Sequence, residues 1–248
     1  MKTSTLMLFI FIMQSTIAQD TIQVSYVEPI PTHSQIFSLS PISKKVDKVN
    51  GLVFGLGHIN NKNISEQTIN GLNIEANPAP IAGFFVAFMA IMHLPDIIKN
   101  NKVPDSIKGT EAHYKLDFFD SSPNLILRGI NLSTGCFFTT TSMSGLNISL
   151  ANIFNDFNGI SITALGTIAD NQNGIAIGMF NANNTLKGST IGIYNQSYEL
   201  KGLHVGIFNQ TGNNQGLQIG VFNRSNSEGF QLGVWNVNNK RSIPFINW

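Results

Sequence analysis

The sequence predicts an all-β fold: a repeat array of short strands stacked as a parallel β-solenoid. Three observations carry this. An octapeptide of the form G-Φ-x-Φ-G-Φ-aromatic-N, with Φ aliphatic, recurs through the C-terminal third at a step of about fourteen residues. Within each unit the side chains alternate with period two, the signature of a strand. Between units lie polar, turn-forming residues such as Gln210 to Gln215, QTGNNQ.

The elements follow in chain order. Residues 1–18 read as a secretory signal peptide: Lys2 gives the charged start, Leu6 to Met13 an unbroken apolar stretch, and Thr16-Ile17-Ala18 a small-x-small cleavage site before Gln19. Eight apolar residues are too few to span a bilayer, which needs about twenty. Residues 19–50 are expected to form a linker or cap. The β-repeat domain is expected over 51–248. Its first, distant copies open at Gly51 (GLVFGLGH) and Gly71 (GLNIEANP). The repeat then disappears, and 78–124 reads as a partly helical insertion. It contains the apolar run Ala82 to Leu94, at thirteen residues too short for a span. Weaker copies resume at Gly129, Gly145 and Gly159. Clean copies open at Gly174, Gly188, Gly202, Gly216 and Gly229, and cover 174–236. The tail 237–248, ending KRSIPFINW, is the candidate C-terminal cap, with Pro244 stopping the pairing and Phe245, Ile246 and Trp248 free to lie over the last coil.

One unit cannot fold by itself. Three aliphatic side chains do not offset the entropy of ordering fourteen residues, so the units must stand side by side. The near-constant step favours a solenoid in which each position becomes a column. The repeat asparagines Asn181, Asn195, Asn209, Asn223 and Asn236 then stack as amides, and the aromatics of position 7 stack likewise. An antiparallel meander or a closed β-barrel is the alternative, and there an aromatic would cover a glycine of the next strand. A membrane barrel meets a geometric objection. Positions 2 to 6 reach about 13 Å at 3.3 Å per residue, against an apolar band of about 25 Å in outer-membrane barrels.

Strict alternation assigns the faces. Positions 2, 4 and 6, such as Leu203, Val205 and Ile207, are expected to form the core. Positions 3 and 7 fall on the opposite side, as a lane of glycine and polar groups edged by aromatics. The candidate binding lane is therefore Tyr194, His204, Phe208, Gln218, Phe222, Gln231 and Trp235.

Composition bounds the function. Charged residues are only 12% of the chain and the net charge is +1, so no global field favours nucleic acid. Cys136 is the sole cysteine and reads as a small buried hydrophobe. Glu111, His113, Asp117 and Asp120 are the best local cluster for a metal. They lack the spacing of a zinc motif, since His113 and Asp117 share a face only on a helix and HYKLDFF reads as a strand. His33, His58 and His93 stand alone, and His204 reads as surface. No GxSxG elbow, Walker loop or dinucleotide fingerprint is present. No catalytic residue, cofactor or metal is expected. Asn63, Asn131, Asn147, Asn183, Asn195, Asn209 and Asn223 stand in sequons, three of them at the repeat asparagine, which reads as fold chemistry.

The units GLHVGIFN, GLQIGVFN and GFQLGVWN, followed by KRSIPFINW, resemble those of bacterial surface-repeat proteins built from GLQIGLFN-type repeats. The resemblance covers 129–248 and extends to 51–77. It implies export to the periplasm, outer membrane or cell surface of a Gram-negative bacterium, and it offers no catalytic residues. The expected function is a non-enzymatic envelope or surface protein with a binding or structural role. Its partner would be an envelope component, a glycan or another surface protein. An outer-membrane barrel or pore is the alternative.

Overall fold

A computed structural model of the chain describes residues 33–58, 66–77, 115–116, 119, 122–135, 137 and 139–248. The expected signal peptide, residues 1–18, and the apolar run 82–94 lie outside the described residues, as does most of the 78–124 insertion with its expected helix. The strands are β1 (His33–Ser40), β2 (Val46–Gly55), β3 (Gln67–Glu75), β4 (Leu125–Gly135), β5 (Thr141–Ile177), β6 (Phe180–Leu186), β7 (Ser189–Leu200), β8 (Leu203–Asn214), β9 (Leu217–Ser225), β10 (Phe230–Val237) and β11 (Ser242–Asn247). They form one sheet in sequence order. Each pairing from β1 to β10 is parallel. Strands joined by two residues cannot run parallel unless each is a coil laid on the one before. The fold is therefore a parallel β-solenoid of about 11 turns. The meander and the closed barrel are excluded: consecutive strands run in one direction, and the sheet ends at β1 and β11 without closing.

The register is position on position. Gly51 pairs with Gly71, Gly71 with Gly129, and Gly129 with Gly145. Thr190 pairs with His204, His204 with Gln218, and Gln218 with Gln231. Gly71 meets Gly129 directly, so the copies on either side of the insertion are adjacent rungs. Leu116, one of the described residues between them, meets the stack at Asn184. The Asn184 amide accepts from the Leu116 backbone N–H (2.7 Å) and donates to the Leu116 carbonyl (2.9 Å). The repeat glycines are required by this stacking. At Gly145 the backbone has φ +135°, and a Cβ there would fall on the Gly129 carbonyl oxygen.

The faces are the reverse of the alternation argument. The expected core aliphatics point outward: Ile191 is 42% exposed and Ile207 43%, while Thr190, His204, Gln218 and Gln231 are fully buried. The cause is a corner. In β8, Leu203 faces out, His204 in and Val205 out, but then Ile207 and Phe208 both face out. Two consecutive outward residues shift the phase, so Asn209 points in and joins His204 in the interior. The same step recurs at Val221 and Phe222 in β9.

Inside, the asparagine amides stack. Asn195 Nδ2 donates to Asn209 Oδ1 (2.9 Å), Asn209 to Asn223 (2.8 Å) and Asn223 to Asn236 (2.7 Å). The second amide proton has its own acceptor, a position-4 carbonyl of the next coil. Asn195 donates to Val205 O (2.9 Å), Asn209 to Ile219 O (2.9 Å) and Asn223 to Leu232 O (2.8 Å). The glycine at position 5 makes room, since a Cβ on Gly206 would come within 2.6 Å of Asn195 Nδ2.

The interior changes along the stack. Toward the N-terminus it is apolar, with Ile42, Val46, Val49, Val53, Ile69, Leu125, Leu127, Met143, Phe154, Phe157 and Ala169 in one cluster. The residue two before most repeat glycines supplies an apolar wall opposite position 3: Val49, Ile69, Leu127, Met143, Phe157, Leu186 and Leu200 are all buried. Beside this cluster a first amide ladder runs in position 3, from Asn73 to Asn131 (2.8 Å), Asn147 (2.7 Å) and Ser161 (2.8 Å). Ser161 then bonds Thr167 (2.7 Å), and the Thr167 N–H donates to Asn181 Oδ1 (3.4 Å). The ladder thus changes column, from position 3 to position 8, without leaving the interior. At the C-terminal end β11 pairs antiparallel with β10. From the tail, Asn247 enters the stack and donates to Gln231 Oε1 (3.0 Å), while the buried Asn238 donates to Asn247 (3.3 Å). Phe245 and Trp248 remain largely exposed, with the Arg241 guanidinium 4.2 Å from the Trp248 ring centroid.

Asn209→Ala removes the amide bond received from Asn195 and those given to Asn223 and the Ile219 carbonyl, and is expected to destabilise the protein by about 3 kcal/mol or more. Asn236→Ala, at the last rung of the ladder, should cost distinctly less. Denaturant midpoints of the two variants measure the difference.

Candidate functional site

The outward residues make two continuous surfaces. One is the aliphatic wall of positions 2 and 4, extended by position 6 at the corner. The other is the aromatic column of position 7. Phe180, Tyr194, Phe208, Phe222 and Trp235 stand in register on successive coils. Phe208 and Phe222 stack face to face, with centroids 5.3 Å apart and planes at 8°. Their spacing is close to the separation of adjacent strands, so the ladder itself holds the rings parallel. The Tyr194 hydroxyl lies within hydrogen-bond reach of Gln196 Oε1 (3.0 Å) and Gln210 Oε1 (3.2 Å). Trp235 Nε1 donates to Ser242 Oγ (2.9 Å), which ties the column to β11. Phe208, Phe222 and Trp235 are each between 43% and 46% exposed.

The expected binding lane is therefore divided. Tyr194, Phe208, Phe222 and Trp235 stand on the outside. His204, Gln218 and Gln231 lie inside and meet no partner in solution, because the phase shift at positions 6 and 7 puts position 7 outside while position 3 stays on the inner face. Sequence reasoning missed the aliphatic columns as surface. A signal was available: no position-3 residue from Val53 to Gln231 is charged, whereas Lys187, Glu199, Lys201, Arg224 and Glu228 all fall between units. A solvent-facing lane would carry some of those charges.

His204 is the one imidazole in the polar interior of the clean repeats. Ser197 Oγ donates to Asn183 Oδ1 and lies 2.7 Å from His204 Nε2, so Nε2 is the protonated ring nitrogen and donates to Ser197. His204 Nδ1 and the neighbouring Thr190 hydroxyl have no partner. Burial pushes the His204 pKa down from 6.5 to about 3. The residue is neutral at physiological pH and sealed from any substrate.

The other histidines differ from one another. His33 is exposed beside Gln35 (3.0 Å). His58 is buried in contact with the Glu75 carboxylate, whose Oε1 also accepts from Ser40 Oγ (3.0 Å) and whose Oε2 has no partner. The Phe137 ring lies 5.8 Å away. This group closes the interior near the first coils. Among the described residues no set of three His, Cys, Asp or Glu could hold a metal ion. Glu111, His113, Asp117, Asp120, His93 and Cys136 lie outside the described residues. The sequon asparagines Asn131, Asn147, Asn183, Asn195, Asn209 and Asn223 are buried in the folded stack; Asn63 is outside the described residues.

The His204 shift fixes the sign of a pH effect. The unfolded imidazole takes a proton below about pH 6.5 and the folded one does not until about pH 3, so stability falls as pH drops through that window. The slope is about 1.4 kcal/mol per pH unit. His204→Gln, which installs the residue of the next two coils, should remove that component. Equal pH slopes for the parent and the variant inside that window would contradict the assignment. Compared with protein-family models, with curated proteins and with solved structures, the chain finds no match.

Proposed function

We propose that the protein is an exported, non-enzymatic envelope or surface repeat protein that works as a rigid binding or structural rod. One observation carries this reading: the repeat turns its aliphatic and aromatic side chains outward and fills its interior with hydrogen-bonded amides. A contiguous apolar surface of this extent on a chain with few charges marks a contact surface. The leader-like residues 1–18 and the resemblance of the repeat to bacterial surface-repeat proteins support a place in the Gram-negative envelope.

The aromatic column suits the apolar face of a glycan or the edge of another surface protein. Its rings are held rigidly by the stack, so binding orders little that is not already ordered. The near-neutral charge gives no support to nucleic acid as a partner.

Phe208→Ser combined with Phe222→Ser removes two central, exposed rings while leaving the interior ladder intact. Retention on the cell-envelope fraction should fall by about tenfold or more. The β-signal in circular dichroism should persist. Unchanged retention by the folded double variant would contradict a binding role for the column.

A further inference from the structure

The aliphatic wall has properties that go beyond a generic contact surface. Its position-2 column runs through the pairings of the sheet from Phe37 and Leu52 to Ile130 and Leu146, and from Ile175 and Ser189 to Phe230. Its position-4 column runs beside it from Leu39 and Phe54 through Leu132 in β4 to Ile162, Ile191 and Leu232, and ends at Ile246 in β11. Ser189 is the one polar residue in either column, and neither column holds a charge. Ile130, Ile148, Ile160, Ile162 and Ile175 are each between 39% and 45% exposed.

We infer that this wall is the interface of a homodimer, in which two copies pack sheet on sheet through positions 2, 4 and 6. This rests on the reading of the outer surface as a contact surface and names the occupant of one part of it. Three arguments select a second copy. The first is area. About 11 rungs at about 4.8 Å, each about 13 Å wide, give a flat area of roughly 650 Å² per copy, so a face-to-face pair buries about 1,300 Å², within the range of stable interfaces. The second is spacing. The wall's side chains repeat at the strand separation, and a second copy presents that same period over its full length, which lets the rows interdigitate as in a β-sandwich. The third is charge. A symmetric contact sets a surface against itself, and a wall without charges has no like-charge repulsion to overcome.

The test is the oligomeric state of the full chain by sedimentation velocity across a concentration series, with three variants. The parent should dimerise. Ile162→Lys combined with Ile177→Lys places charges at the centre of the wall and should raise the dimer dissociation constant by about 100-fold or more, with the β-signal in circular dichroism unchanged. Ser189→Ile fills the polar gap and should tighten the dimer several-fold, seen as a discrete dimer with no larger species, whereas misfolding would give larger aggregates. Phe208→Ser with Phe222→Ser should leave the dimer unchanged, so loss of envelope retention in that variant reports on the aromatic column alone. A monomeric parent at micromolar concentration overturns the inference. So does a dimer that ignores both the lysine pair and Ser189→Ile. A parent that stays monomeric and co-sediments with vesicles of phosphatidylethanolamine and phosphatidylglycerol overturns it in favour of a lipid surface.

Discussion

Each coil of the clean repeat is joined to the next by an asparagine amide that places both of its protons within the stack. One proton goes to the amide above and the other to a carbonyl of the following coil, as with Asn209, Asn223 and Ile219. In a low-dielectric interior such bonds are strong, and the absence of any one of them is expensive. That condition sets the register. A slip of one residue would leave a row of buried amides unpaired, whereas a slip along an aliphatic wall would merely exchange one apolar contact for another. The glycine at position 5 and the corner at positions 6 and 7 both serve to keep this ladder whole, and it stays whole where the step shortens to thirteen between Asn223 and Asn236.

The outward turn of the aliphatics is a consequence of the same geometry. A coil this short encloses little space. That space is taken by the amides, by small residues such as Ser197 and Thr211, and by the leucines Leu186 and Leu200. Toward the N-terminus the balance shifts. Phe154, Phe157, Met143 and Leu127 fill the interior, and the ladder there runs in position 3 through Asn73, Asn131 and Asn147. The exchange of columns at Ser161 and Thr167 lets one hydrogen-bonded chain pass between two differently filled interiors. The cap then repeats the device, with Asn247 bonded to Gln231.

Much of this was legible in the sequence. The constant step and the recurring asparagine indicated stacked coils, because columns of identical residues are useful only when rungs align. The facing was not legible, since period two was carried through positions 6 and 7. Ile207 and Phe208 both point outward there, and a single phase shift inverts every assignment on one side of it. The wall opposite position 3 was half visible in Leu186 and Leu200. It was obscured because Gln172 and Asn214 hold the same place in neighbouring coils. His204 was read as surface on the strength of its polar neighbours Thr190 and Gln218, which are themselves buried.

The inverted facing of the repeat is the central claim, and adjacent residues test it. In a Cys136→Ser background, Thr190→Cys and Ile191→Cys place a thiol on opposite faces of one strand. At high dilution, maleimide should label the folded Ile191→Cys protein readily and the Thr190→Cys protein only after unfolding. Ready labelling at position 190 with protection at 191 would contradict the account and restore an aliphatic core.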